Sequence, residues 1–163
     1  MNSIKRWMMV ASGIVFCLTL SISVAQAQQP FEFTLCSSGT ITPLTLTKEG
    51  SFFGVERKGI AMSNHPNKAL DNHTIHLVGV GRIEIDKVIG YGYFKLMAPD
   101  EDYIIAEISG TTEETAIKFL QGTGKWKGIT GGGKGSTITT GKAITPYTVQ
   151  GCSRFTGTFE LKK

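Results

Sequence analysis

Three histidines and one acidic run are the residues of this sequence whose types could bind a metal or transfer protons. His65 lies in an Asn-His-Pro-Asn turn, whereas His73 and His76 fall in a segment of alternating apolar and polar residues. Side chains three positions apart on a strand point to opposite faces, so local geometry does not bring these two histidines together. The acidic run Asp100-Glu101-Asp102 lacks the spacing of a calcium-binding loop, and adjacent turn residues cannot all reach one ion. The sequence therefore predicts a solvated turn there, with no metal site and no cofactor.

A glycine- and lysine-rich stretch, Gly122 to Gly133, is the other chemically suggestive segment. A phosphate-binding loop requires the pattern G-x-x-x-x-G-K-[ST]. Gly128 to Lys134 fits, but Gly135 stands where the magnesium-binding hydroxyl should be, and no helical pattern follows. The G-x-S-x-G motif of serine hydrolases is also missing. We therefore predict neither a phosphate site nor a catalytic residue.

The cysteines predict one disulfide. Cys17 lies in the apolar N-terminal stretch, which leaves Cys36 and Cys152, one near each end of the remaining chain. In an oxidising compartment such a pair most simply forms a disulfide, and a metal site would need further ligands nearby in sequence. The bond would tie the first strand of the domain to the last.

The N-terminus has the three parts of a signal peptide. Lys5 and Arg6 supply the positive charge, residues 7–24 form an apolar run, and Ala25-Gln26-Ala27 is a small-x-small cleavage site. The alternative is an uncleaved anchor, because this run is near the minimum length for a membrane span. Cleavage after residue 27 would leave 28–163 as a single domain that is exported, periplasmic or secreted, and that touches the membrane only through the signal peptide before cleavage.

The net charge argues against a nucleic-acid partner. The formal charge of +4 includes the two basic residues of residues 1–27, which contain no acidic residue, so removing that segment leaves +2. The remaining chain has no cluster of Lys and Arg with interleaved aromatic residues, which is the electrostatic footprint of nucleic-acid binders.

Alternation with a period of two dominates residues 28–163 and predicts an all-β domain. Phe31, Phe33 and Leu35 share one face, as do Phe155, Gly157, Phe159 and Leu161, and a third face contains Ile75, Leu77, Gly79, Gly81, Ile83 and Ile85. Turn signals divide the chain into eight or nine antiparallel strands, which we place at 31–36, 39–48, 51–62, 73–85, 88–98, 103–109, 115–121, 125–129 continuing at 134–141, and 150–161.

Glycines inside the strand patterns favour a barrel over a sandwich. Gly79, Gly81, Gly90 and Gly92 occupy positions where glycine normally weakens a strand. In a barrel, interior glycines relieve crowding and permit the coiling that closure needs. Faces rich in Phe, Ile and Tyr would then line the lumen, and Tyr91 with Tyr93 could offer hydroxyl groups to a ligand.

Two stretches carry a resemblance to a known superfamily. The first has Gly122, Thr123, Gly124, Lys125, Trp126, Gly128, Ile129 and Gly131 in register, and the second is Gly90-Tyr91-Gly92-Tyr93-Phe94 followed by Pro99-Asp100-Glu101-Asp102. Together they resemble small bacterial secreted proteins with the allene-oxide-cyclase-like barrel, to which plant dirigent proteins and allene oxide cyclases are related. The match covers about residues 73–135, and it departs from the family where Glu101-Asp102 stand in place of D-G-D.

The resemblance implies a fold rather than an activity. It implies a calycin-like, eight-stranded antiparallel barrel whose members are mostly uncharacterised. It also implies an architectural role for the motif residues Gly122, Gly124, Trp126, Gly128 and Gly131.

Several functions are compatible with such a barrel. We expect a non-catalytic module that binds a small apolar molecule in the lumen, or a barrel whose lumen is filled by its own side chains. One alternative is a cyclase- or dirigent-like enzyme that steers a reactive molecule, with Glu84, Glu107 or Arg82 orienting it. Another is a structural or interaction role in the cell envelope. The oligomeric state stays open.

Overall fold

The computed structural model describes residues 28–46, 50–84 and 87–162. Over these residues the chain forms eight β-strands and one short 3-10 helix between β6 and β7, Gly124–Trp126. The strands are β1 Gln29–Leu46, β2 Ser51–Ser63, β3 His73–Glu84, β4 Lys87–Met97, β5 Tyr103–Thr111, β6 Thr115–Gly122, β7 Ile129–Thr140 and β8 Thr148–Leu161.

The strands close into one antiparallel barrel. Each pairs with the next in sequence, and β8 returns to pair with β1, so every strand has two hydrogen-bonded neighbours. The expected all-β, eight-stranded antiparallel barrel is confirmed. Closure leaves no open sheet edge among these strands, which removes the usual template for edge-to-edge aggregation.

Two strand boundaries differ from those expected. The segments predicted at 31–36 and 39–48 join into the single strand β1 as far as Leu46, because residues 37 to 39 stay paired on both sides, with β2 and with β8; residues 47–48 lie outside the described residues. The strand predicted at 125–129 is replaced by the 3-10 helix and a turn at 127–128, and β7 begins at Ile129. Gly124 at the start of the helix, with φ +47°, and Gly128 in the turn, with φ +77°, adopt left-handed conformations that a strand does not allow.

The alternating faces point into the barrel as expected. Phe31, Phe33 and Leu35 of β1 are buried, and Phe155 and Phe159 of β8 are buried beside them. Their rings stack directly, with Phe33 and Phe155 centroids 5.2 Å apart. On β3 the inward set begins with buried Ile75, whereas Ile83 near its end is half-exposed, and Ile85 lies outside the described residues.

One half of the lumen is densely filled. All eight strands contribute side chains that are almost fully inaccessible, from the start of β1, β3, β5 and β7 and from the second half of β2, β4, β6 and β8. The segment between β2 and β3 adds Leu70, which is 1 % exposed, to the same cluster. Burying each large apolar side chain contributes about 1.5–3 kcal/mol. This packed half therefore supplies much of the stability; its members include Phe33, Leu96, Ile104, Phe119, Ile129 and Phe159.

The predicted disulfide is present. Cys36 of β1 and Cys152 of β8 are register partners and are covalently bonded, 116 positions apart in sequence. Both belong to the outward-facing positions of their strands, since Leu35 and Phe155 in the same strands are inward and buried. The bond therefore fastens the closing seam of the barrel from outside.

Residues 1–27, the expected signal peptide, lie outside the described residues. Within 28–46, 50–84 and 87–162, no helix has the length and apolar character needed to cross a membrane.

Candidate functional site

The other half of the barrel is hollow. A cavity of about 460 Å³ occupies the end where the odd-numbered strands finish and the even-numbered strands begin. Its floor is apolar and rests on the packed half through Leu35, Ile75 and Phe155. Threonines surround the mouth, where several are exposed to solvent, so a small molecule can enter from this end: Thr111, Thr112, Thr115, Thr137, Thr140 and Thr148.

The cavity exists because one stretch of wall has no side chains. Gly79 lies opposite Gly92, and Gly81 opposite Gly90, all on inward positions of β3 and β4. A Cβ on Gly92 would lie 2.8 Å from the Cα of Gly79, too close for any side chain. This geometry agrees with the expectation that glycines inside the barrel relieve crowding. Only Gly90 has space, because its nearest atom to a Cβ would be a carbonyl oxygen at 3.8 Å.

Among the described residues that line the cavity, one side chain is charged. Arg57 occupies an inward position on β2, between Val55 and Gly59, and is partly buried. Its Nη2 donates a long hydrogen bond of 3.4 Å to the backbone oxygen of Ser37, and its Nε is buried with no partner among the described residues. Burial lowers the pKa of the Arg57 guanidinium, but an arginine stays protonated at physiological pH.

The tyrosines expected in the lumen lie on the outside of the barrel. Tyr91 and Tyr93 are 44 % and 47 % exposed, because the alternating glycines of β4 take the inward positions. Their hydroxyl groups bond to each other at 2.6 Å, and this bond raises the pKa of Tyr91 to about 12. The two side chains thus face outward, although Tyr91 is also among the residues that border the cavity. Binding of a ligand by this pair at the outer surface stays a prediction.

The side chains weighed for substrate orientation also face outward. Arg82 and Glu84 form an exposed ion pair of 2.9 Å on β3. Glu107 is the register partner of Tyr93 and shares its outward side of the sheet. None of the three lines the cavity, so the lumen places no carboxylate from this set against a bound molecule.

The histidines are separated as the alternation predicts. His73 is buried in the packed half, where its ring meets Trp126 edge-on, and His76 on the opposite face bonds to Glu56 at 2.9 Å. His73 Nδ1 lies 2.9 Å from the backbone oxygen of Asp71, and burial lowers the pKa of its imidazole. Across the described ranges, no three His, Cys, Asp or Glu side chains come together as a metal site.

The acidic turn is structural rather than merely solvated. The carboxylate of Asp102 accepts hydrogen bonds from the Lys125 backbone N–H at 3.0 Å and from Thr123 Oγ1 at 3.4 Å. Asp100 forms an exposed ion pair with the Lys125 ammonium at 2.6 Å. The two stretches that carry the family resemblance are thus bonded to each other.

The motif residues of the glycine-rich stretch have the geometry of an architectural element. Trp126 is 5 % exposed and packs against His73 and Phe159. A Cβ on Gly122 would lie 2.6 Å from the Cβ of Trp126, and Gly131 has a φ of +110°. These contacts support the role that the resemblance implies for Gly122, Gly124, Trp126, Gly128 and Gly131.

A second depression lies on the outer face over the disulfide. It measures about 510 Å³ and is bordered by Cys36, Lys58, Ile60 and Gln150. It is a shallow surface trough without a surrounding wall, whereas the lumen cavity is enclosed by the strands. We therefore place the candidate site in the lumen.

Sequence reasoning missed Arg57. The signal was available, because Phe53, Val55, Arg57, Gly59 and Ala61 alternate along β2. A strand whose inward face is otherwise apolar or glycine places this arginine inside the barrel.

Comparison with known proteins bears on the fold. No family model matches the sequence, and no curated protein sequence matches it. Among solved structures, a pterocarpan synthase dirigent protein superposes with a TM-score of 0.53, covering 88 % of this chain and 99 % of its own, at 9 % sequence identity. The fold is a dirigent-like barrel. At this identity the likeness concerns the dirigent-like barrel alone and carries no activity with it.

Proposed function

We propose that this protein binds a small, largely apolar molecule in the hollow half of its barrel and does not transform it. The cavity carries the proposal: at about 460 Å³ it lies in the range of known small-molecule sites, which have mostly apolar walls and few polar groups. A cavity of this volume does not fit the alternative expectation, which is that the side chains of the barrel fill its lumen completely.

A matched pair of glycine substitutions tests the proposal. Gly90→Val places a side chain in the cavity without a backbone clash, whereas Gly54→Val has similar space on the outward side of β2. Isothermal titration calorimetry with phenylbutanol, a neutral apolar probe, should show binding to the wild type and to Gly54→Val, and loss of binding in Gly90→Val. Equal binding by all three proteins, or by none, would contradict the proposed site.

Steering of a reactive molecule is the second candidate function. It is supported by the shared fold with a protein described as a pterocarpan synthase dirigent protein, and it would use the same cavity. Native mass spectrometry of the purified protein identifies any small molecule that co-purifies. Incubating that molecule with the protein then distinguishes binding from steering. A molecule returned unchanged in mass and configuration after incubation supports binding alone, whereas conversion to a product supports steering.

We infer that the protein is exported to the periplasm or beyond and that residues 1–27 are removed. The disulfide supports this inference, because such bonds persist in oxidising compartments and are rare in the cytosol. Expression of the full chain in a bacterial host with a secretion pathway tests it. The intact mass of the exported protein should equal that of residues 28–163 with two hydrogens lost to the disulfide, and the mass of the whole chain would overturn the inference.

A further inference from the structure

Arg57 lies near the floor of the cavity without an anionic partner. Its register neighbours are Gly39 on β1 and Leu77 on β3, neither of which carries charge. The adjacent Glu56 points to the outer face, where it is held by His76 and Lys58 at 2.9 Å and 3.2 Å. Within the part of the chain that the structure describes, no ion pair includes Arg57, and no other side chain that lines the cavity is charged at neutral pH.

Such a placement is costly in the empty protein. A cation that is withdrawn from water needs a counter-charge and hydrogen-bond acceptors to recover its solvation energy. Here the guanidinium has one long hydrogen bond, to the Ser37 backbone oxygen, and its Nε has no partner. The unmet donor capacity faces a cavity that is large enough for a ligand.

We propose that Arg57 binds the acid group of a monocarboxylate whose apolar body fills the hollow half of the barrel. This inference rests on the proposed binding function and names the class of ligand. The planar guanidinium fork matches a carboxylate, with two parallel N–H donors to its two oxygens. Inward-facing Ser37 and Ser153 also line the wall near this level and add hydroxyl groups.

The surroundings of Arg57 favour a ligand whose acid group carries a single negative charge. A phosphate monoester carries close to two negative charges at neutral pH and needs more than one cation to offset its desolvation. This cavity supplies one cation within walls of Val55, Leu77 and Ile108. The ligand therefore enters with its acid group first, and its apolar part ends among the threonines of the mouth.

Calorimetry with three probes of one carbon skeleton tests the inference: phenylbutanoate, neutral phenylbutanol and phenylbutyl phosphate. The wild type should bind the carboxylate at least about tenfold more tightly than the alcohol, since a hydrogen bond to a charged group contributes that much. Arg57→Met should lose this preference and keep its affinity for the alcohol. Arg57→Lys should keep part of the preference, because a point charge replaces the fork.

The matched control is Lys58→Met, which removes the neighbouring cation from the outer face and should leave the preference unchanged. Thermal unfolding without ligand checks that Arg57→Met folds, and its melting temperature should equal or exceed that of the wild type because an unpaired, partly buried charge is gone. Addition of phenylbutanoate should raise the melting temperatures of the wild type and of Lys58→Met by more than it raises that of Arg57→Met.

The outcomes separate this inference from the proposed function. Equal affinity for carboxylate and alcohol in the wild type overturns the role of Arg57 and leaves the cavity as a neutral binding site. A preference that survives in Arg57→Met, or a stronger preference for the phosphate, also overturns it. Failure of all three probes to bind contradicts both the inference and the proposed function.

Discussion

Cys36 lies directly opposite Cys152 across the β1–β8 junction, with their Cα atoms 4.1 Å apart. This junction is where the two ends of the barrel domain meet, and it must form last if the hairpins assemble in chain order. A covalent bond at this place shortens the search of the unfolded chain for its closing pair. The disulfide therefore acts on barrel closure rather than on any local turn.

Removing this disulfide should lower stability substantially. The loop it closes spans 116 residues, for which the chain-entropy argument gives about 5 kcal/mol, with strain reducing the effect. We expect Cys36→Ala/Cys152→Ala to unfold at a clearly lower urea concentration than the oxidised wild type. Reduced wild type is the control and should behave like the double variant. Equal midpoints for oxidised wild type and variant would contradict this account.

Because one half of the lumen is packed and the other is hollow, we expect truncation of two side chains on the same strand to lower the free energy of unfolding by different amounts. Ile104 and Ile108 both face inward on β5, but Ile104 is fully buried and Ile108 borders the cavity. Ile104→Ala should cost about 2–5 kcal/mol, since it opens a void in a filled core. Ile108→Ala enlarges space that already exists and should cost less than half as much. Urea denaturation measures both, and similar losses would argue that the cavity collapses in solution.

Burial of His73 predicts a loss of stability in mild acid. The pKa of His73 is lowered in the folded protein, chiefly by burial, from its ordinary value of 6.5. The folded state thus binds a proton less readily than the unfolded state. Above pH 6.5 the burial of His73 carries no cost from protonation. The free energy of unfolding falls as the pH drops from there toward the pKa of His73 in the folded protein.

The variant His73→Phe should remove that component of the pH dependence, because it keeps an aromatic ring against Trp126 and cannot be protonated. Free energies of unfolding at about pH 7 and about pH 5 measure the difference. His76→Gln is the matched control, since it replaces an exposed histidine on the opposite face of the same strand. The same pH dependence in His73→Phe and wild type would assign it to other groups.

In the acidic turn, we expect the carboxylate of Asp102 to contribute more to stability than the carboxylate of Asp100. Asp102→Ala leaves the Lys125 backbone N–H without its acceptor and should cost about 1–2 kcal/mol. Asp100→Ala removes an exposed ion pair with Lys125 and should cost clearly less than Asp102→Ala. Thermal or urea unfolding of both variants checks the ranking. A larger loss for Asp100→Ala would show that the ion pair, rather than the hydrogen bonds of Asp102, fixes the loop.

The barrel was predictable where alternation and composition point the same way. Along residues 31–35 of β1 and 155–161 of β8 the alternate positions are mostly large and apolar while their neighbours are mostly polar, so only one face can be inside. The pairing of Cys36 with Cys152 followed from there being two thiols in the chain after the N-terminal stretch. Both expectations depend on local or compositional rules, and both are confirmed.

The site was harder to predict because it depends on what the lumen can accommodate. On β4 the tyrosines alternate with glycines, and hydrophobicity alone would turn the tyrosines inward. Close approach to β3 reverses that preference, since the backbones at Gly79 and Gly92 leave no space for side chains. The same long-range packing leaves a cavity beside Arg57, which alternation along a single strand cannot reveal.

Division of the lumen into a filled end and an empty end has a consequence for how this scaffold can change. Residues around the mouth contribute less to the stability of the fold than those of the packed half, so they can be substituted with a small risk of unfolding. Selectivity for new compounds could therefore be introduced by diversifying the threonines there while the phenylalanine-rich end is kept constant. A library restricted to those positions should retain mostly folded members, which makes the protein a practical starting point for engineered receptors.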